Sequence, residues 1–228
     1  VGKREAKRNL MTHSEIFFKK YCARLEIKCI PFQTGESKTP DYELIIDEQR
    51  IIVEVKEIDR NRSEHESLRQ YGREEASGVP GDRVRRKIWK ASSQIRALTQ
   101  EIYPSILVLY DLTRGGHLNP YLIRVAMYGL EQIDVMVPVN PSESPYYTGM
   151  SYGPKRRMTK DNNTSISAIG VLSTPRPYEI VLDIYHNKYA AVPLNPQLLT
   201  KYIIHQFILE DELPGKTAKW KEWVIQNN

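Results

Sequence analysis

The stretch from Thr39 to Ile58, TPDYELIIDEQRIIVEVKEI, constrains the fold more than any other part of the chain. Two apolar runs, YELII and RIIVEVKEI, are joined through Asp47-Glu48-Gln49 and read as a β-hairpin. Side chains alternate between the faces of a strand, so Glu54 and Lys56 share one face, about 7 Å apart along it. A strand that only builds a core has no use for either charge, and burying one costs free energy unless it is paired or metal-bound. Asp41 opens the partner strand directly after Pro40. A hairpin closing around residues 47–49 brings its carboxylate beside Glu54. Two carboxylates in one small site repel each other, and a divalent cation resolves the conflict. Mg²⁺ is typically held by one or two carboxylates with waters and phosphate oxygens.

Charge along the chain sharpens this reading. Residues 41–59 carry seven acids against two bases, whereas residues 60–100 carry ten bases against five acids. Residues 1–30 carry eight bases against three acids, and the whole chain has a formal charge of +5. An acidic patch between basic segments suits a metal-assisted site acting on a polyanion. A solvated charged surface is the plainer alternative.

The remaining segments predict mixed α/β architecture. Residues 12–25 read as a helix, with Thr12-x-x-Glu15 as a capping box, and residues 27–32 as a short strand. The polar segment from Asp59 to Gly81 reads as a long, mobile loop. A helix from Asp82 to Ile102 carries an apolar stripe of Val84, Ile88, Ala91, Ile95, Leu98 and Ile102. SILVLYD at 105–111 is a strand buried on both faces, and Asn119-Pro120 starts a helix to Gly129. A strand at 134–139 and a polar loop over 140–165 follow. Strands within 166–172, 178–185 and 188–194 form a C-terminal meander, and Asn195-Pro196 caps a helix through residue 209. The expected organisation is a core over 12–140 with a C-terminal extension over 141–228 packed on it as one domain. The 228 residues suit one large domain.

Other classes are poorly supported. No apolar run is long enough to span a bilayer, and His13, Ser14 and Glu15 break any signal-peptide pattern, so a cytoplasmic protein is expected. Cys22 and Cys29, the only cysteines, argue against a disulfide framework or structural zinc. The five histidines are scattered, and neither a P-loop nor a GxSxG elbow is present.

Pro40-Asp41 followed by Glu54-Val55-Lys56, with a helix before the hairpin and a helix and strand after it, resembles the PD-(D/E)xK nuclease superfamily. The resemblance covers roughly residues 12–140. It implies a restriction-endonuclease-like mixed β-sheet flanked by helices and a Mg²⁺-dependent endonuclease, Mn²⁺ being a possible substitute. Asp41 and Glu54 would then bind the metal while Lys56 serves the attacking water. It implies Glu15, on the first helix, as a third acid and metal ligand, although the capping box is a rival role. Gln94 would join the catalytic set, although Leu98 stands where such nucleases often have a tyrosine. A nucleic-acid partner, DNA ahead of RNA, follows from the resemblance. Arg83, Arg86 and Lys87 are candidate phosphate contacts, with Arg85 beside them in the same turn. Lys155, Arg156 and Arg157 form a second basic group, with Tyr146-Tyr147 nearby to stack on bases. A homodimer or partner protein is compatible with the sequence. Two other readings stand: a catalytically inactive scaffold on the same fold, and an interaction protein whose acidic hairpin is incidental.

Overall fold

Asp47 and Glu48 both adopt left-handed backbone angles, with φ of 46° and 65°, as a two-residue type I′ hairpin turn requires. They join β2 (Tyr42–Ile46) to β3 (Gln49–Ile58), with Tyr42 opposite Val53 and Ile46 opposite Gln49. Gln49 therefore opens the second strand and is not part of the turn. On the other side of β2 runs β1 (Lys28–Pro31), with Cys29 opposite Leu44. The computed structural model describes residues 11–33, 39–72, 78–99, 102–113, 116–177, 179–202, 205–210 and 215–224.

Helix α1 (His13–Arg24) starts at the expected capping box. The Thr12 hydroxyl accepts from the Glu15 backbone N–H, and Glu15 Oε2 accepts from the Thr12 N–H at 2.6 Å. The expected loop after β3 contains a ten-residue helix, with residues 73–77 outside the described residues. Helix α2 (Arg62–Tyr71) begins at a second capping box, between Asn61 and Glu64, and ends at Gly72 with φ of 65°. Those two signals stand in the sequence; the absence of an apolar period hid them. Helix α3 (Asp82–Thr99) then buries Val84, Ile88, Ala91 and Ile95, while Ile102 lies past its end and is exposed.

The chain next enters β4 (Ser105–Asp111), parallel to β3 and buried between β3 and its next neighbour. Helix α4 (Pro120–Tyr128) has Asn119 as its cap, whose side chain accepts from the Leu122 N–H at 2.9 Å. The strand expected at 134–139 begins earlier, as β5 (Glu131–Met136). It pairs with β6 (Tyr146–Tyr152), which lies inside the expected polar loop, to form a separate two-stranded sheet. The main sheet continues with β7 (Ala168–Ser173), parallel to β4, and β8 (Val181–His186), antiparallel to β7.

The C-terminal part departs from expectation. Residues 188–194 contain no strand, and the expected C-terminal helix is only a 3₁₀ turn at Pro196–Leu199. The apolar run after it becomes β9 (Gln206–Leu209), parallel to β8, and the expected polar tail contributes β10 (Trp220–Glu222). Among the described residues the fold is mixed α/β: an eight-stranded sheet in the order β1-β2-β3-β4-β7-β8-β9-β10, flanked by four helices. One core lies beneath α1, with Phe18 and Cys22 packed on Leu44, Val53 and Val108. The other lies beneath α3 and α4, where Ile88, Ile95 and Met127 meet Leu107, Leu109 and Ile169. Each such fully buried side chain stabilises by about 1.5–3 kcal/mol. Among the described residues no helix is long and apolar enough to cross a membrane.

Candidate functional site

The hairpin brings Asp41, the residue before β2, beside Glu54 of β3. The ladder ends at Tyr42–Val53, so Asp41 lies one residue before β2 and does not open it as expected, and its N–H donates to the Val53 carbonyl at 3.1 Å. The Asp41 side chain is then fixed by the Val55 N–H, which donates to Oδ2 at 2.7 Å. Glu54 points to the α3 face and has no exposed surface. Neither of its carboxylate oxygens has a well-formed hydrogen bond among the described residues, and Oε1 is ion-paired with the Lys56 ammonium. Burial, and next the charge of Asp41, push the Glu54 carboxyl up to about 7, against the pull of Lys56. Burial likewise raises Asp41, opposed by the Val55 N–H and by Lys56. The two acids therefore resist being ionised together unless a cation joins them.

The site opens into a cleft of about 300 Å³ that Asp41, Lys56, Glu57, Asp59, Glu15 and Lys87 help to line. It lies toward the end of β3, where Ile58 pairs with Asp111 at the end of β4. Ligands of open α/β sheets commonly bind beyond the carboxyl ends of parallel strands. Glu57, on the opposite face to Lys56, accepts the Ser14 N–H at 2.9 Å and so fixes the start of α1 against β3. Glu57 and Asp59 were not anticipated as part of the cleft. Their place in the run EVKEID beside Lys56 was the available signal.

The other candidates fall into place unevenly. Glu15 reaches the rim of the cleft, where its charge helps to raise Asp41, but its Oε2 is occupied by the capping box. The Gln94 amide donates to the Thr39 carbonyl at 3.3 Å and does not line the cleft; it ties α3 to the segment that leads into Asp41. Lys87 does line it. Burial, then the nearby Lys90 and Lys56, lower its affinity for a proton. Arg83 is an internal tie, ion-paired with Glu64 and donating to the Asp59 carbonyl at 2.9 Å. Arg86 pairs with Asp82 at 2.8 Å and stays 64% exposed. Arg85 does not face a phosphate at all. It is 1% exposed and donates to the Val125 and Pro80 carbonyls, so it fastens α3 to α4.

The second basic group lies elsewhere. The Arg157 and Met158 N–H groups bond to the Met127 carbonyl at the end of α4, and Arg156 lines a pocket with Tyr128. Tyr128 in turn donates to the carbonyl of His186, which pairs with Ala168 at the start of β7. Lys155, Arg156 and Arg157 thus sit by the beginning of the parallel strands, and the cleft sits by their ends. Tyr146 and Tyr147 are exposed on β6.

The residues present fit a divalent cation of the Mg²⁺ type. Glu54 supplies two buried oxygens, Oε1 held by the Lys56 ammonium, and Asp41 stands beside it with Oδ1 uncommitted to Val55. Among the described residues no group of three or more His, Cys, Asp or Glu forms an all-protein metal cage. Mg²⁺ does not require one, since water and substrate phosphate complete its shell. Neither family models, nor curated proteins, nor solved structures contain a match to the chain.

Proposed function

We propose that this protein is a metal-dependent nuclease of the PD-(D/E)xK type, hydrolysing phosphodiester bonds in nucleic acid and acting on DNA as an endonuclease. The observation that carries the reading is Glu54: a fully buried carboxylate beside Asp41 whose close charged partner is the Lys56 ammonium two residues on. The order of elements supports it, with a helix, three antiparallel strands, two helices and then a strand parallel to the Glu54 strand.

Asp41 and Glu54 would hold the cation, with Glu15 available at the rim. A divalent ion there supplies a more acidic bound water and neutralises charge on the phosphate under attack. Val55 holds Asp41 in one orientation through its N–H. Lys56, once Glu54 is engaged elsewhere, directs its ammonium toward the attacking water or the charge that develops on phosphorus-bound oxygen. Lys87 adds a second positive group to the cleft, suited to a phosphate oxygen.

Purified protein should nick or cut plasmid DNA with Mg²⁺ or Mn²⁺ and lose that activity with a chelator. Asp41→Asn and Glu54→Gln should each lower cleavage by more than about a hundredfold, as removal of a group that stabilises transition-state charge does. Lys56→Ala should lose cleavage yet keep calorimetric metal binding. Wild-type levels of cleavage in either acid variant would overturn the assignment. The inactive-scaffold reading draws on one observation, the ion pair between Lys56 and Glu54 that occupies the site. It predicts nucleic-acid binding with no metal-dependent cleavage, so the same assay decides between them.

A further inference from the structure

Among the described residues of β1, Cys29 is the one that is not exposed, and it packs against the α1-side core that contains Cys22. The two residues are seven positions apart, but the turn between α1 and β1 folds them together. The Ile27 N–H donates to the Cys22 carbonyl at 2.9 Å, and Glu26 takes a left-handed φ of 56°. Helix and strand are thereby brought side by side, with Cys29 packed against the cluster that holds Cys22. Their settings differ. Cys22 is buried, whereas Cys29 is half-buried on β1, which lies at an edge of the eight-stranded sheet.

We infer that Cys29 and Cys22 are an attacking and resolving thiol pair, which a small disulfide oxidant converts into an internal disulfide linking β1 to α1. Cys29 is the group approachable from solvent. The Cys22 thiol donates to it and Lys19 lies nearby, which together hold Cys29 below the usual thiol range despite its burial. Cys22 is pushed the other way, first by that same hydrogen bond and then by burial. The Cys29 thiolate attacks one sulfur of the oxidant, whose S–S bond breaks and releases one thiolate. Cys22 then gives up its proton and attacks Cys29 Sγ, expelling the second thiolate. The two protein thiols lose two electrons and the oxidant's disulfide becomes two thiols. The pair is independent of the metal site and does not rest on the nuclease reading.

The test is exposure of the native, reduced full chain to oxidised glutathione, followed by alkylation, intact mass and peptide mapping. The wild type should lose two hydrogens, carry a linked Cys22–Cys29 peptide and retain no glutathione. Cys22→Ala should keep glutathione on Cys29. Cys29→Ala should take it up at Cys22 at least about tenfold more slowly than Cys29 does, because a buried thiol is less often thiolate and less accessible. Wild-type protein that keeps a glutathione adduct on Cys29, links to a second chain, or stays fully alkylatable would overturn the pair. Should Cys22→Ala fail to fold, the wild-type product alone still separates these outcomes.

Discussion

A carboxylate with no exposed surface and a second acid beside it destabilises the chain that contains it when it is ionised, unless its partners offset the cost of burial. Glu54 is in that position, and burial with the Asp41 charge beside it raises its titration to about 7 from an ordinary 4.5. The folded state therefore holds a proton that the unfolded chain has released between those two values. The resulting stability is complete below the unfolded value, falls as pH rises through the window, and is gone above about 7. Glu54→Gln removes the titration, so the metal-free variant should be more stable than wild type at pH 8, by up to about 3 kcal/mol. That corresponds to a rise of very roughly 5–10 °C in melting temperature for a chain of this size. At pH 5.5 the gap should narrow. Mg²⁺ should raise the melting temperature of wild type at pH 8 and leave the variant unmoved. Equal melting temperatures for the two proteins at pH 8 would show that Glu54 is not held as an ionised acid in a dry site. At this scale much of the site was legible. The period of two puts Glu54 and Lys56 on one face, and a turn at residues 47–48 brings Asp41, one residue before the ladder, beside Glu54. What no local pattern specified was that Lys87 would reach the cleft, because that depends on how α3 lies across β3.

Secondary-structure elements hold their positions through contacts that composition does not advertise, and α2 is the clearest case. Its amino-acid content reads as a polar linker, yet Glu64 caps its first turn and is ion-paired with Arg83 on α3, both side chains being largely buried. Truncating Arg83 leaves that carboxylate buried and unpaired, so Arg83→Ala should destabilise by about 3 kcal/mol in urea unfolding. Arg86→Ala, at an exposed pair, should change stability by less than about 0.5 kcal/mol. If Arg83 served only a phosphate, both variants would unfold like wild type. Hydrogen exchange gives an independent measure: the amides of residues 66–71 should be protected in the free protein, without nucleic acid present. The other misread element is β9. The run after Asn195-Pro196 is apolar enough for either helix or strand, and periodicity alone does not separate them. Pairing decides. Ile184 and Tyr185 of β8 face Gln206 and Phe207, and the β9 backbone is also bonded to β10, partners that the sequence places some twenty and fifteen residues away.

The whole molecule is organised by one sheet in which the C-terminal half is a structural necessity. β4 lies in the middle, with β3 on one side and β7 on the other, and every connection among them is parallel. Parallel strands of this kind need cover on both faces. The α1-side core takes Ala168, Leu172, Leu182, Ile184 and Leu198 from residues beyond 140, and the other core takes Ile166, Ile169 and Val171. The division into a core over 12–140 and an extension over 141–228 therefore marks where the motif lies, while packing runs across it. A chain ending at residue 140 would leave the β4 backbone unpaired along one edge and uncover Leu107, Val108 and Leu109, all fully buried in the intact protein. With about 1.5–3 kcal/mol lost per uncovered side chain, against a total stability of about 5–15 kcal/mol for a typical domain, such a fragment has no folded state to populate. The full chain should melt in one cooperative transition by circular dichroism. The fragment should show no sigmoidal transition and should expose its amides to exchange throughout residues 105–111. A sharp melt from the fragment would mean that residues 12–140 fold alone, and that the strands after β4 are an addition to a complete domain.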